Sequence, residues 1–136
     1  MCKVYLAARY GAKDDVEKLA NTLRSNDIEV VSTWHSKNKK ATPYNKITSR
    51  DMRKEALDDY ADLTKADTIV ACEIFGDGGS RGARHCEFGY GLGMEYTLVV
   101  YGERWQCFHY MPEVYIVKTE RQLINALKRF VSTKKI

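Results

Sequence analysis

Apolar positions along this chain switch between strand-like runs and helix-like spacing, and the switches mark out its elements. Lys3-Val4-Tyr5-Leu6-Ala7-Ala8 is a short continuous apolar run and predicts a buried first strand. Arg9-Tyr10-Gly11 then makes a turn, and Val16, Leu19, Ala20 and Leu23 recur at helical spacing with charges between them. Residues 28–33 are rich in β-branched side chains and predict a second strand. Residues 35–48 are polar and lysine-rich and contain Pro43; they predict a long, mobile loop, and long loops in compact domains are often functional. A second helix is expected from about Ser49 to Lys65. Further strands are expected over 67–74, 97–101 and 114–117, with a helix around Glu87 between the first two of these. Thr119-Glu120-Arg121-Gln122 is a capping box that opens a last helix, with Leu123, Ala126, Leu127 and Phe130 on one face.

Strands alternating with helices imply a parallel sheet covered on both faces. Five strands fit a flavodoxin-like or Rossmann-like α/β three-layer sandwich of order 2-1-3-4-5, whose ligands bind at the carboxyl ends of the first and third strands. The loops after Ala8 and after Phe75 should therefore meet. There is no repeat, linker or low-complexity stretch, so residues 1–136 are expected to form a single domain.

Composition narrows the function classes. Hydrophobic residues make up 44% of the chain, enough for a substantial core, and the net charge is +4. Outside Lys37, Lys39, Lys40 and Lys134-Lys135 the cations are dispersed, which argues against a nucleic-acid polymer as partner. No apolar run is long enough to span a membrane, and Met1 leads straight into strand-like sequence, so neither a membrane nor a signal peptide is expected. The expected compartment is the cytoplasm, where Cys2, Cys72, Cys86 and Cys107 stay reduced as buried or half-buried small residues. No zinc-type spacing links them to His85 or His109, so no metal is expected.

The chemistry concentrates in Gly78-Gly79-Ser80-Arg81-Gly82-Ala83-Arg84-His85-Cys86-Glu87-Phe88-Gly89-Tyr90-Gly91-Leu92-Gly93. A glycine-rich loop between a strand and a helix is the arrangement of a phosphate- or sugar-binding crossover. Glu87 sits where the helix is expected to begin, where the helix dipole would keep it ionised. An ionised carboxylate beside a ligand-cradling loop is what a glycosyl-transferring nucleophile requires. Gly89, Gly91 and Gly93 each cost a helix about 1 kcal/mol relative to alanine, which suggests close backbone approach to the sheet or to a ligand. Asp59 shares a stripe of the second helix with Met52, Ala56, Tyr60 and Leu63, whereas Asp58 and Asp62 are expected to point to solvent. An inward acid is either paired in the core or lines a pocket, where burial suits it to proton transfer. Tyr5 reads first as a core aromatic. Arg9, Lys13, Arg81 and Arg84 are loop cations near the expected ligand edge. They form either a solvated basic surface or an anion contact. His85 and His109 lack a nucleophile partner at any recognisable spacing.

The chain resembles the nucleoside 2-deoxyribosyltransferase family over nearly its whole length, especially the short, phage-like members. Three segments carry the resemblance: Val4-Tyr5-Leu6-Ala7-Ala8-Arg9, Asp59-Tyr60-Ala61-Asp62-Leu63-Thr64-Lys65-Ala66-Asp67, and Gly82-Ala83-Arg84-His85-Cys86-Glu87-Phe88-Gly89-Tyr90. The resemblance implies Glu87 as the nucleophile that attacks the anomeric carbon. It implies Asp59 as the acid that helps protonate the leaving base, and Tyr5 as the residue that positions the nucleophile. Ala8, Arg9, Gly79, Arg81, Gly82, Arg84 and His109, at or near the expected ligand edge, are the expected substrate contacts. Transferases of the family carry an acid six residues before the nucleophile, where this chain has Arg81. The related 2′-deoxynucleoside 5′-monophosphate N-hydrolases carry a serine in the first loop, where this chain has Ala8 followed by Arg9.

The leading expectation is therefore cleavage of a 2′-deoxynucleoside's N-glycosidic bond through Glu87, with transfer of the sugar to another free nucleobase. No organic cofactor is expected, since this glycosyl transfer needs none. Hydrolysis of a nucleoside monophosphate is the alternative, and a non-catalytic nucleotide sensor on the same fold is the second. The resemblance also implies a homo-oligomer whose subunits complete one another's sites. Trp105-Gln106-Cys107-Phe108-His109-Tyr110-Met111 is an aromatic connection expected to be exposed and to suit such contacts.

Overall fold

The computed structural model describes residues 2–36 and 46–133. Five strands, β1 (Lys3–Ala7), β2 (Glu29–Val30), β3 (Thr68–Ala71), β4 (Thr97–Tyr101) and β5 (Tyr115–Val117), form one sheet of order β2-β1-β3-β4-β5. Every pairing is parallel, as the sequence predicts. Four helices connect or follow them: α1 (Lys13–Ser25), α2 (Ser49–Lys65), α3 (Ala83–Gly93) and α4 (Glu120–Thr133). Right-handed crossovers put α1 on one face of the sheet and the neighbouring α2 and α3 on the other. This is the three-layer α/β sandwich expected from the pattern.

The helix ends follow their local chemistry. Thr48 and Asp51 form a reciprocal capping box at the start of α2, each side chain accepting from the other's backbone N–H at 3.1 Å. Thr119 and Gln122 do the same for α4, whose Leu123, Ala126, Leu127 and Phe130 are all buried. The apolar face of α1 is buried as its spacing predicts.

β1 and β5 each fall one residue short of the expected run, and β2 and β3 fall several residues short. β2 covers only Glu29–Val30 rather than 28–33, because side chains replace the ladder beyond Val31. The Leu6 amide donates to Ser32 Oγ at 3.1 Å, and the Leu6 carbonyl accepts from Trp34 Nε1 at 2.8 Å. Ser32 in turn meets His35 Nε2 at 2.8 Å, and His35 Nδ1 lies 3.0 Å from Glu17 Oε1. This serine–histidine–carboxylate line has the connectivity of a hydrolytic triad. It is a brace instead: Ser32 and His35 are sealed from solvent, and Ser32 Oγ already accepts a backbone bond. Burial holds the His35 pKa below its ordinary value despite Glu17, so the imidazole is neutral. β3 ends at Ala71 rather than at residue 74, and the chain turns into a 3-10 segment over Glu73–Phe75. Gly102, at φ +117, lets that turn pack close: a Cβ there would lie 2.5 Å from the Ile74 nitrogen. The loop predicted over 35–48 falls mostly on residues 37–45, which lie outside the described residues together with Lys37, Lys39, Lys40, Pro43 and Lys134-Lys135.

Candidate active site

Register across the sheet decides which side chains meet α3. Tyr5 pairs with Ile69, and Ile69 with Leu98, so the three form a row across β1, β3 and β4. Helix α3 lies on that row, burying Arg84, Glu87, Phe88 and Gly91 at helical spacing. Gly91 is the point of closest approach, since a Cβ there would lie 2.5 Å from Ile69 Cγ1. No comparable neighbour faces Gly89 or Gly93, so only one of the three helix glycines answers the close approach inferred from sequence.

Helix α3 begins at Ala83, four residues before Glu87, which corrects the expectation that Glu87 opens the helix. The carboxylate therefore lies beyond the first turn, where the dipole no longer governs it. Burial instead raises its pKa from 4.5 to about 8, with the charges of Asp59 and Glu55 adding to the shift. The phenol of Tyr5 opposes them by donating to Glu87 Oε2. Tyr5 is itself fully buried, and its own pKa is raised by burial and by the Glu87 and Asp59 charges. Donor and carboxylate thus form a sealed pair at the junction of β1 and α3.

Asp59 comes to this pair from α2. It is half-buried, its Oδ1 is closed to solvent, and its charge acts on both Tyr5 and Glu87. The inward placement predicted for it holds, but the stripe used to predict it does not. Met52, Ala56 and Tyr60 are exposed, and Asp62, expected in solvent, is buried. Asp62 faces inward because Thr33 donates to its Oδ2 from both the backbone nitrogen, at 2.9 Å, and Oγ1, at 2.7 Å. Glu55, one turn before Asp59, is a further acid of this cluster that the sequence reading missed. Its only signal was the i, i+4 spacing to Asp59.

The two ligand-edge loops meet as predicted: Arg9 Nε donates to the Phe75 carbonyl at 2.7 Å. Ala8 is buried at the end of β1, and Gly79 and Gly82 take left-handed backbone at φ +72 and +92. Arg81 is exposed on the loop. Arg84 is not: its side chain turns inward and forms ion pairs with Glu73 at 2.9 Å and Asp77 at 2.7 Å. Glu73 is a second functional candidate that the sequence reading missed. His109 is also buried, accepting from the Trp105 amide at 2.9 Å and packing its ring against Phe88 at 4.9 Å. It secures the β4–β5 connection against α3. On the outer flank of α3 an open apolar groove of about 590 Å³ runs past His85, Cys86, Gly89, Leu92 and Phe108. Glu87, Tyr5 and Asp59 do not line it. Cys86 and Cys107 are exposed rather than buried, and Cys2 and Cys72 are buried. Among the described residues no three potential ligands converge on a metal position, and no helix is long and apolar enough to cross a membrane.

No protein-family model matches the chain, and no curated protein sequence matches it significantly. Among solved structures it is similar to the CMP N-glycosidase BcmB of Clostridium botulinum, with a TM-score of 0.56 at 18% sequence identity. The match covers 93% of this chain and 98% of that one, so the two share a fold along essentially their whole lengths.

Proposed function

We propose that this protein cleaves the N-glycosidic bond of a nucleoside or nucleoside 5′-monophosphate by double displacement through Glu87. One observation carries the reading: a carboxyl sealed against a tyrosine hydroxyl, with a second acid from a different helix acting on it, beside a glycine loop at the carboxyl edge of β1 and β3. In the first step, with one proton shared by the two acids and resting on Asp59, ionised Glu87 attacks C1′, the C1′–N bond breaks, and the base leaves with the electron pair and takes that proton. In the second step an acceptor attacks C1′ from the opposite face, gives its proton back to Asp59 and releases the Glu87 carboxylate, so configuration is retained overall. Tyr5 stabilises the ionised form of Glu87 by donating to it and fixes the attacking oxygen.

The resemblance in sequence favours a free nucleobase as acceptor and a 2′-deoxyribosyl donor. The similar fold of a protein described as a CMP N-glycosidase favours water as acceptor and a monophosphate as donor. A panel of deoxynucleosides, ribonucleosides and their monophosphates, each with and without free base, separates the readings. New nucleoside marks transfer. Free base and sugar from monophosphates alone mark hydrolysis. Binding without turnover of any member would overturn both in favour of a sensor.

A further inference from the structure

We infer that Arg84 is a positioning residue for Glu87: its buried guanidinium fixes the glycine loop and the first turn of α3, and does not bind the substrate's anion. The inference rests on the proposed role of Glu87. Arg84 opens the buried stripe of α3, and Glu87 follows it one turn later on the same stripe. Whatever fixes the rotation and height of Arg84 therefore fixes Glu87 too.

The fixing contacts are specific. Nε donates to Glu73 Oε2 at 2.9 Å and Nη2 to Glu73 Oε1 at 3.1 Å, a two-pronged bond onto the turn that closes β3. Nη2 also meets Asp77 Oδ1 at 2.7 Å, and Nη1 donates to Ser80 Oγ at 2.6 Å. A single side chain thus ties three points of the 73–82 segment to the helix that carries the nucleophile. Ser80 Oγ passes the constraint on by accepting from the Gly82 amide at 3.1 Å, where the backbone turns left-handed into α3. Four of the five guanidinium N–H donors are engaged. Two carboxylates face one cation, so this group presents no excess positive charge to a phosphate. The Arg84 and Glu73 side chains are only 1% and 4% exposed, which also keeps the fork away from solvent-borne ligands. Lysine could supply the charge but not the planar fork.

The test compares Arg84→Met, Arg84→Lys and the double variant Glu73→Gln/Arg84→Met, which removes both buried charges and guards against misfolding from an orphaned Glu73. Amide hydrogen exchange over residues 78–86 is read beside kcat and KM for a nucleoside and its 5′-monophosphate. The expected result is faster exchange in 78–86 in all three variants, with β3 and β4 unchanged. It is joined by a fall in kcat on the order of 10²-fold, equal for both substrates, with KM little moved and no rescue by lysine. Unchanged exchange in the loop would overturn the inference. So would a loss confined to the monophosphate and restored in Arg84→Lys. Failure of the Glu87 reading is separate: it shows as activity surviving Glu87→Gln, and loop exchange still decides the role of Arg84.

Discussion

At the scale of single residues, Glu87 lies four residues into α3 and is sealed against Tyr5, so burial and not the helix dipole governs its protonation. Attack requires the carboxylate, and burial raises the Glu87 pKa to about 8. For a leaving base that departs without taking a proton from Asp59, the expected kcat/KM therefore falls about tenfold per pH unit below that value, and a profile flat from pH 5 to 8 with such a substrate would contradict it. The same shift has a stability consequence. Unfolded Glu87 ionises near 4.5, whereas folded Glu87 keeps its proton until about 8. Its stabilising contribution is thus complete below 4.5 and lost as pH rises through 8. Thermal melts should show wild type losing several degrees relative to Glu87→Gln between pH 5 and 8. Asp59→Asn should slow base departure by roughly 10²–10⁴-fold, most for poor leaving bases. A small loss uniform across bases would make Asp59 structural. Asp62 was misread because its value lies in Thr33, far away in sequence, which no periodicity reveals.

At the scale of elements, boundaries were readable wherever backbone bonds and caps are local. Helix α2 runs from Ser49 to Lys65 as predicted, with Thr48 and Asp51 at its start. Strand β4 spans Thr97–Tyr101 as predicted, but the end of β2 was not readable, because side chains from a following segment take over the ladder, as Ser32 and Trp34 do at Leu6. The glycines of α3 show the same limit: they look alike in sequence, yet only Gly91 touches the sheet. Gly91→Ala gains about 1 kcal/mol of helix propensity but forces a Cβ to within 2.5 Å of Ile69 Cγ1 and 3.1 Å of Leu98 Cδ2. Overpacking of that kind costs about 1–3 kcal/mol, so the variant should melt lower and lose activity as α3 lifts from Tyr5. Gly89→Ala and Gly93→Ala, facing open space, should melt no lower than wild type. Equal melting of all three variants would contradict the packing of α3 on the Tyr5–Ile69–Leu98 row.

At the scale of the whole molecule, the sheet has the order expected of five alternating strands of flavodoxin-like type, and that order reverses between β1 and β3. The surface holds what the chain itself does not use. Trp105, Phe108 and Tyr110 are 58%, 52% and 66% exposed beside the apolar groove on α3. We propose that this segment joins copies of the chain into a dimer or larger homo-oligomer. Light scattering should give at least twice the 15.6 kDa chain mass, and Phe108→Asp should lower both mass and activity. A fully active monomer at assay concentration would contradict it. The bond between Glu87 and the sugar can be trapped directly. A 2-fluoro-substituted slow substrate, quenched and digested, should leave the glycosyl mass on the peptide containing Glu87, and Glu87→Ala should show neither adduct nor turnover. Turnover at near-wild-type rate in Glu87→Ala, or an adduct on another residue, would rule out Glu87 as the nucleophile.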